Sequence, residues 1–145
     1  MPMVGFVIEK INAEKTAKKI KGNINVKTNI KIKNIEKQEI QVGEKKETIL
    51  DFCFDFKVDY QPNIGKIEIV SHILYTDKPK VLEATLKEWK KKKKIDQQLM
   101  TRLYNIILYR CSIKALALSQ EVNLPPSLRL PTIKPPKPGA VNYIG

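Results

Sequence analysis

The stretch "LDFCFDFKVDY", residues 50–60, alternates without a break: Leu50, Phe52, Phe54, Phe56, Val58 and Tyr60 take the even positions, and Asp51, Asp55, Lys57 and Asp59 fall among the odd ones. Side chains of a strand point to opposite faces in turn. The pattern therefore predicts a β-strand with one apolar, aromatic face and one solvated face.

The same period continues on both sides. Ile24, Val26, Thr28, Ile30 and Ile32 fall on one face of a second alternating run, with Asn25, Lys27, Asn29, Lys31 and Lys33 on the other. "VGFVIEKI" (4–11) and "KIEIVSHILYT" (66–76) are short and rich in branched residues, and read as two further strands. "QVGEKKE" (41–47) and "QPNIG" (61–65) supply turns, because proline fixes one dihedral while asparagine and glycine accept positive ones. Four strands joined in this way form an antiparallel meander.

Beyond Thr76 the period changes. Between Lys80 and Lys94, Leu82, Leu86 and Trp89 recur at spacings of four and three, an apolar stripe on a short helix with Pro79 near its start. Asp96 reads as the N-cap of a longer helix ending near Val122. Of the 20 residues from Leu99 to Leu118, 14 are apolar or aromatic, so this helix needs cover on more than one side. One sheet covers only one. A second copy of the chain is expected on the other, through Leu103, Ile106, Ile107, Leu108 and Cys111, in a dimer or tetramer. "VNLPPSLRLPTIKPPKPGAVNYIG" (122–145) holds six prolines between Pro125 and Pro138, which favours an extended segment. The fold class expected is α+β: one domain over residues 1–125, with a four-stranded antiparallel meander packed on a short and a long helix, and an extended proline-rich tail over 126–145.

Composition bounds the function. A length of 145 residues suits one domain, and a hydrophobic share of 42% excludes wholesale disorder. A net charge of +12 points to nucleic acid, acidic lipid or an acidic partner. That charge is uneven: residues 10–46 carry eleven lysines against four glutamates, whereas 47–77 carry two lysines against six acids. Five lysines, Lys90 to Lys94, follow Trp89 in the motif "EWKKKKKIDQQLM" (88–100). On a helix they step around the axis, and at its C-terminal end they meet the favourable end of the dipole, so a solvated helix end accounts for them. Non-specific phosphate contact, helped by Lys27, Lys31 and Lys33, is the alternative reading.

Cys53 and Cys111 each sit in an apolar stretch and read as free thiols of a cytoplasmic protein. With His72 the only histidine and no Cys-x-x-Cys spacing, no metal and no cofactor are expected. The opening "MPMVGFVIEK" does not read as a signal peptide. Arg102, Asn105, Arg110 and Lys114 interrupt the most apolar segment, so membrane insertion is not expected. Neither a G-x-S-x-G nor a phosphate-cradling glycine loop occurs, and Asp51, Asp55 and Asp59 recur at roughly 13 Å on a strand, too far apart for paired carboxylates. No enzyme is expected.

Four strands, a short helix, a long apolar helix and a proline-rich exit resemble the SecB export chaperones and their SecB-like relatives. The closest local likeness is "LYNIILYRCSIKALALSQEVNLPPSLRLP" (103–131), with its aromatic start, the Arg110–Cys111 pair, and the exit through Asn123, Leu124, Pro125 and Pro126. The resemblance implies an ATP-independent holdase, a dimer of dimers, that binds unfolded or precursor polypeptides, with protein export among the roles it suggests. Client-binding candidates are then Phe52, Phe54, Phe56, Tyr60, Trp89, Leu124, Leu128 and Leu130. Flat aromatic surface binds many unfolded segments at little entropic cost, but the same residues suit an ordinary core. The alternative function is a basic nucleic-acid- or ribosome-associated protein.

Overall fold

The structure, a computed structural model, describes residues 3–18 and 22–128. It contains β1 (Met3–Lys15), β2 (Asn25–Val42), β3 (Lys45–Gln61), β4 (Gly65–Tyr75), α1 (Pro79–Lys92) and α2 (Gln97–Glu121). The expected α+β arrangement of a four-stranded antiparallel sheet and two helices is present. The sheet order is β1-β4-β3-β2. β2, β3 and β4 form the meander, and β1 joins at the far side, antiparallel to β4, in the manner of a Greek key. Alternation specifies which face a residue takes but not which strand lies beside it, so the sequence did not place β1.

The stretch 50–60 runs through the middle of the molecule. Phe56 sits between Ile30 and Ile69, Phe54 between Ile32 and Ser71, Phe52 between Ile35 and Ile73, and Leu50 between Lys37 and Tyr75. Both helices pack on this face. Phe52 meets Tyr75 edge-on at 6.0 Å and Phe54 meets Tyr104 of α2 edge-on at 5.8 Å, the geometry that aromatic quadrupoles favour. Past a bulge between Ile32 and Asn34, β2 runs on to Val42, nine residues further than the alternating run. The bulge shifts the phase by one, which returns Ile35 to the buried face beside Ile32.

The turns follow their chemistry. Gly43 and Asn63 adopt φ of 66° and 47°. At Gly65 a Cβ would lie 2.5 Å from the carbonyl oxygen of Glu14, so only glycine lets β1 approach β4 there.

α1 buries Leu82, Thr85 and Trp89, and stops at Lys93, a left-handed residue whose N–H donates to the Trp89 carbonyl at 2.9 Å. Asp96 caps α2 as expected, accepting from the Leu99 N–H at 3.2 Å. α2 then buries Leu103, Ile107, Cys111, Ala115 and Ser119 at intervals of four, one face laid on the sheet. Beyond it, the Leu124 N–H donates to the Ser119 carbonyl and the Tyr60 hydroxyl to that of Pro125, at 2.8 and 2.7 Å. This pins the chain exit to the β3–β4 end. Of the expected tail, only 126–128 are described.

Candidate functional site

Phe52, Phe54, Phe56 and Tyr60 are 0–1% exposed beneath the helices, and Trp89 and Leu124 are also buried. These six expected client contacts are core, because α1, α2 and the chain exit close over the even face of β3. Leu128 is 42% exposed, and Leu130 lies outside the described residues.

The expected interface residues divide in the same way. Leu103, Ile107 and Cys111 are buried against the protein's own sheet, so they are not available to a partner; Ile106 is half-buried, and Leu108 is 44% exposed. The residues that α2 leaves open are Leu108, Tyr109 at 71% and Ile113 at 55%. Sequence reasoning missed Tyr109 and Ile113. The four-residue spacing of Leu103, Ile107, Cys111 and Ala115 was the signal, because it assigns those residues to the sheet and leaves 109 and 113 on another side. Arg110 lies beside them with its guanidinium 4.9 Å from the Phe6 ring centroid.

A cleft of about 360 Å³ opens between α1 and the β2–β3 end of the sheet. Leu50, Leu82 and Leu86 line its floor, Pro79 closes one end, and Lys37, Lys87 and Lys90 line its rim with Glu83. Among the described residues no carboxylate pairs with these three lysines. The run Lys90–Lys94 thus divides: Lys90 reaches the cleft, while Lys93 folds back over the Trp89 ring at 5.1 Å.

The opposite face of the sheet carries most of its charged side chains, with Ile49, Val70 and Val7 among them. His72 Nδ1 lies 2.7 Å from Asp51 Oδ1 and Nε2 lies 2.8 Å from Glu9 Oε1, while Gln38 donates to Asp51 Oδ2 at 3.0 Å. One histidine thereby joins β1, β4 and β3. Burial alone would lower its pKa, but the hydrogen bonds to Glu9 and Asp51 and their charges outweigh that and raise it. Cys53 is the β3 residue directly across from His72. Its thiol pKa is raised by burial and by the charge of Glu9, with Lys33 opposing, and both His72 nitrogens are already engaged by carboxylates. This is the reverse of an activated thiolate. Cys111, on the sheet-facing side of α2, lies on the other face of the sheet, also with its pKa raised by burial.

A second network runs Lys10–Glu68–Lys57–Asp55, with N···O distances of 3.0, 3.6 and 3.5 Å. Lys27 and Lys31 stand opposite Asp59 and Asp55 in the β2–β3 register. Their charge is therefore interleaved with carboxylates, on the face turned away from Lys90–Lys94. Among the described residues no group of three or more His, Cys, Asp or Glu side chains could hold a metal ion, and no helix is long and apolar enough to cross a membrane. No family model, no curated protein and no solved structure matches the chain.

Proposed function

We propose that the protein is an ATP-independent polypeptide-binding module, a holdase of the SecB-like kind that works as a homo-oligomer and holds non-native chains in the cytoplasm. One observation carries the reading: the chain completes its own core and still presents apolar surface, the α2 side chains Leu108, Tyr109 and Ile113. Isolated exposed apolar residues need no explanation, but three within six positions of one helix mark a contact surface. Val7 and Ile11 on the edge strand β1 add to the apolar surface left open. A participation in export belongs to the same proposal and rests on the resemblance alone.

The nucleic-acid reading keeps one supporting observation, the lysines at the end of α1, which make no ion pair among the described residues. Salt separates the two. Apolar capture weakens little with ionic strength, whereas phosphate contact falls with a log–log slope of about −0.7 to −0.9 per neutralised phosphate. The test is aggregation of a chemically unfolded client at roughly 0.3 M salt without nucleotide, a strength at which exposed charges are largely screened. Suppression by the native chain, retained when Lys91, Lys92 and Lys94 are replaced by Gln, supports the holdase. Absence of suppression, together with salt-sensitive RNA binding lost in that variant, overturns it.

A further inference from the structure

We infer that the cleft beside α1 is a binding site for extended peptide segments in which an apolar side chain is flanked by acidic residues. The inference deepens the polypeptide-binding reading by naming the class of client and the place where it binds.

Three independent features meet at this cleft. Its floor is apolar, made by Leu50, Leu82 and Leu86, and its volume of about 360 Å³ lies at the lower end of the roughly 300–1,000 Å³ of ligand pockets. That is room for one or two large side chains. Its rim carries Lys37, Lys87 and Lys90 against the single carboxylate of Glu83, and all four side chains are exposed. These lysines make no ion pair among the described residues, so an incoming carboxylate need not displace one.

The third feature is the strand that supplies Lys37. β2 is the edge of the sheet, and among the described residues no strand pairs with its outer side. Its main-chain N–H and C=O groups on that side are free to pair with an extended chain, the mode in which backbone bonds give affinity and alternate side chains give selectivity. A peptide added there sends every second side chain toward the helix side, where the cleft lies. Residues two positions to either side of the one that enters the cleft share its face, and there they meet the lysine rim.

A peptide fits better than a free lipid. The cleft opens to solvent along one side, so it can receive a side chain whose backbone stays outside, whereas an acyl chain is stabilised by enclosure on all sides. The overall charge of +12 adds a long-range attraction for acidic segments.

The probes are two fluorescent decapeptides with the same central phenylalanine and leucine, one with glutamate flanks and one with lysine flanks. Binding is read by anisotropy on the full chain. The acidic peptide is expected to bind at least tenfold more tightly at 0.1 M salt, as three exposed ion pairs imply. In the triple variant Lys37→Glu, Lys87→Glu, Lys90→Glu that preference reverses. Leu86→Trp, which fills the floor, weakens both peptides, and Lys27→Glu with Lys31→Glu, on the opposite face, does not reverse the preference. Circular dichroism checks that each variant is folded.

Aggregation suppression measured alongside separates the two readings. If the native chain suppresses aggregation but the peptides bind equally, or the triple variant does not reverse them, the inference falls and the holdase reading stands. If the acidic peptide binds with the expected reversal and suppression is absent, the inference stands and the holdase reading falls. If neither peptide binds while laurate or a single-stranded oligonucleotide does, through the same lysines, the inference is overturned.

Discussion

Tyr109→Asp is the most direct perturbation of the proposed assembly. An aromatic side chain buries about 150–250 Å², so the 71% of Tyr109 that is exposed leaves roughly 140 Å² for a partner. At about 25 cal/mol per Å² that is ~3.5 kcal/mol for each copy, and a two-fold interface loses it twice. Asp adds the cost of placing a carboxylate in the apolar contact beside Leu108 and Ile113. Association is expected to weaken by at least about a thousandfold, the factor that corresponds to ~4 kcal/mol. The folding of each chain should hardly change, since exposed positions away from core contacts shift stability by about 0.5 kcal/mol or less. Sedimentation velocity from about 1 to 100 μM reads the first quantity, and urea unfolding of the dissociated chain reads the second. A native mass of one 16.7 kDa chain across that range would refute the assembly. So would a Tyr109→Asp variant of unchanged mass, while a variant that unfolds would place Tyr109 in the core.

Phe54→Ala tests the assignment of the aromatic face to the core: the side chain is fully buried and packs on Tyr104, so urea unfolding should show a loss of about 3–5 kcal/mol, and a loss below 1 kcal/mol would contradict it. His72 has a folded-state pKa raised above its unfolded value, so its contribution is fully present below about pH 6.5 and fades as pH rises through the folded value. The native chain should therefore lose stability from neutral toward alkaline pH. His72→Gln should flatten that part of the profile, and equal slopes in the two proteins would remove the role given to the Glu9–His72–Asp51 bridge. Asp96→Ala removes the cap of α2 and should cost about 0.5–2 kcal/mol, whereas Asp96→Asn should recover most of it.

How much of this could be read from the sequence depends on the kind of constraint. Residues 50–60 were legible because β3 is an inner strand with no bulge, so its faces hold to period two from Leu50 to Tyr60. In β2 the alternation stops at Lys33, yet the strand continues to Val42. The bulge there puts Ile32 and Ile35 on the same face, a spacing of three that interrupts any count by twos. In α2 the excess of apolar residues is visible in the sequence, but the excess alone does not say which side meets the sheet, and Leu103, Ile107 and Cys111, expected at a partner, are covered by the sheet instead. The cleft and the His72 bridge were not legible at all, because each joins residues from three elements whose adjacency depends on the sheet order. Lys37 meets Lys87 only because β2 is the edge over which α1 packs, and Glu9 meets His72 only because β1 crosses to β4.

That same topology decides what the excess charge can do. On the polar face, Lys10 and Lys57 are paired with Glu68 and Asp55, and Lys27 and Lys31 stand opposite Asp59 and Asp55. A polyanion approaching there meets carboxylates at every second step, so the field it feels is nearly compensated. On the helix side, Lys37, Lys87 and Lys90 have no such partners among the described residues. Part of the cationic surface without ion pairs among the described residues therefore lies around an apolar floor. A nucleic acid could use the lysines but gains nothing from Leu50, Leu82 and Leu86 unless it inserts a base, and among the described residues no aromatic side chain lines the cleft for that base to stack on. An acidic peptide with one bulky apolar residue uses both. The expected mark of such a ligand is an affinity that falls only modestly with salt and does not vanish at high salt, because the apolar part of the contact is not screened.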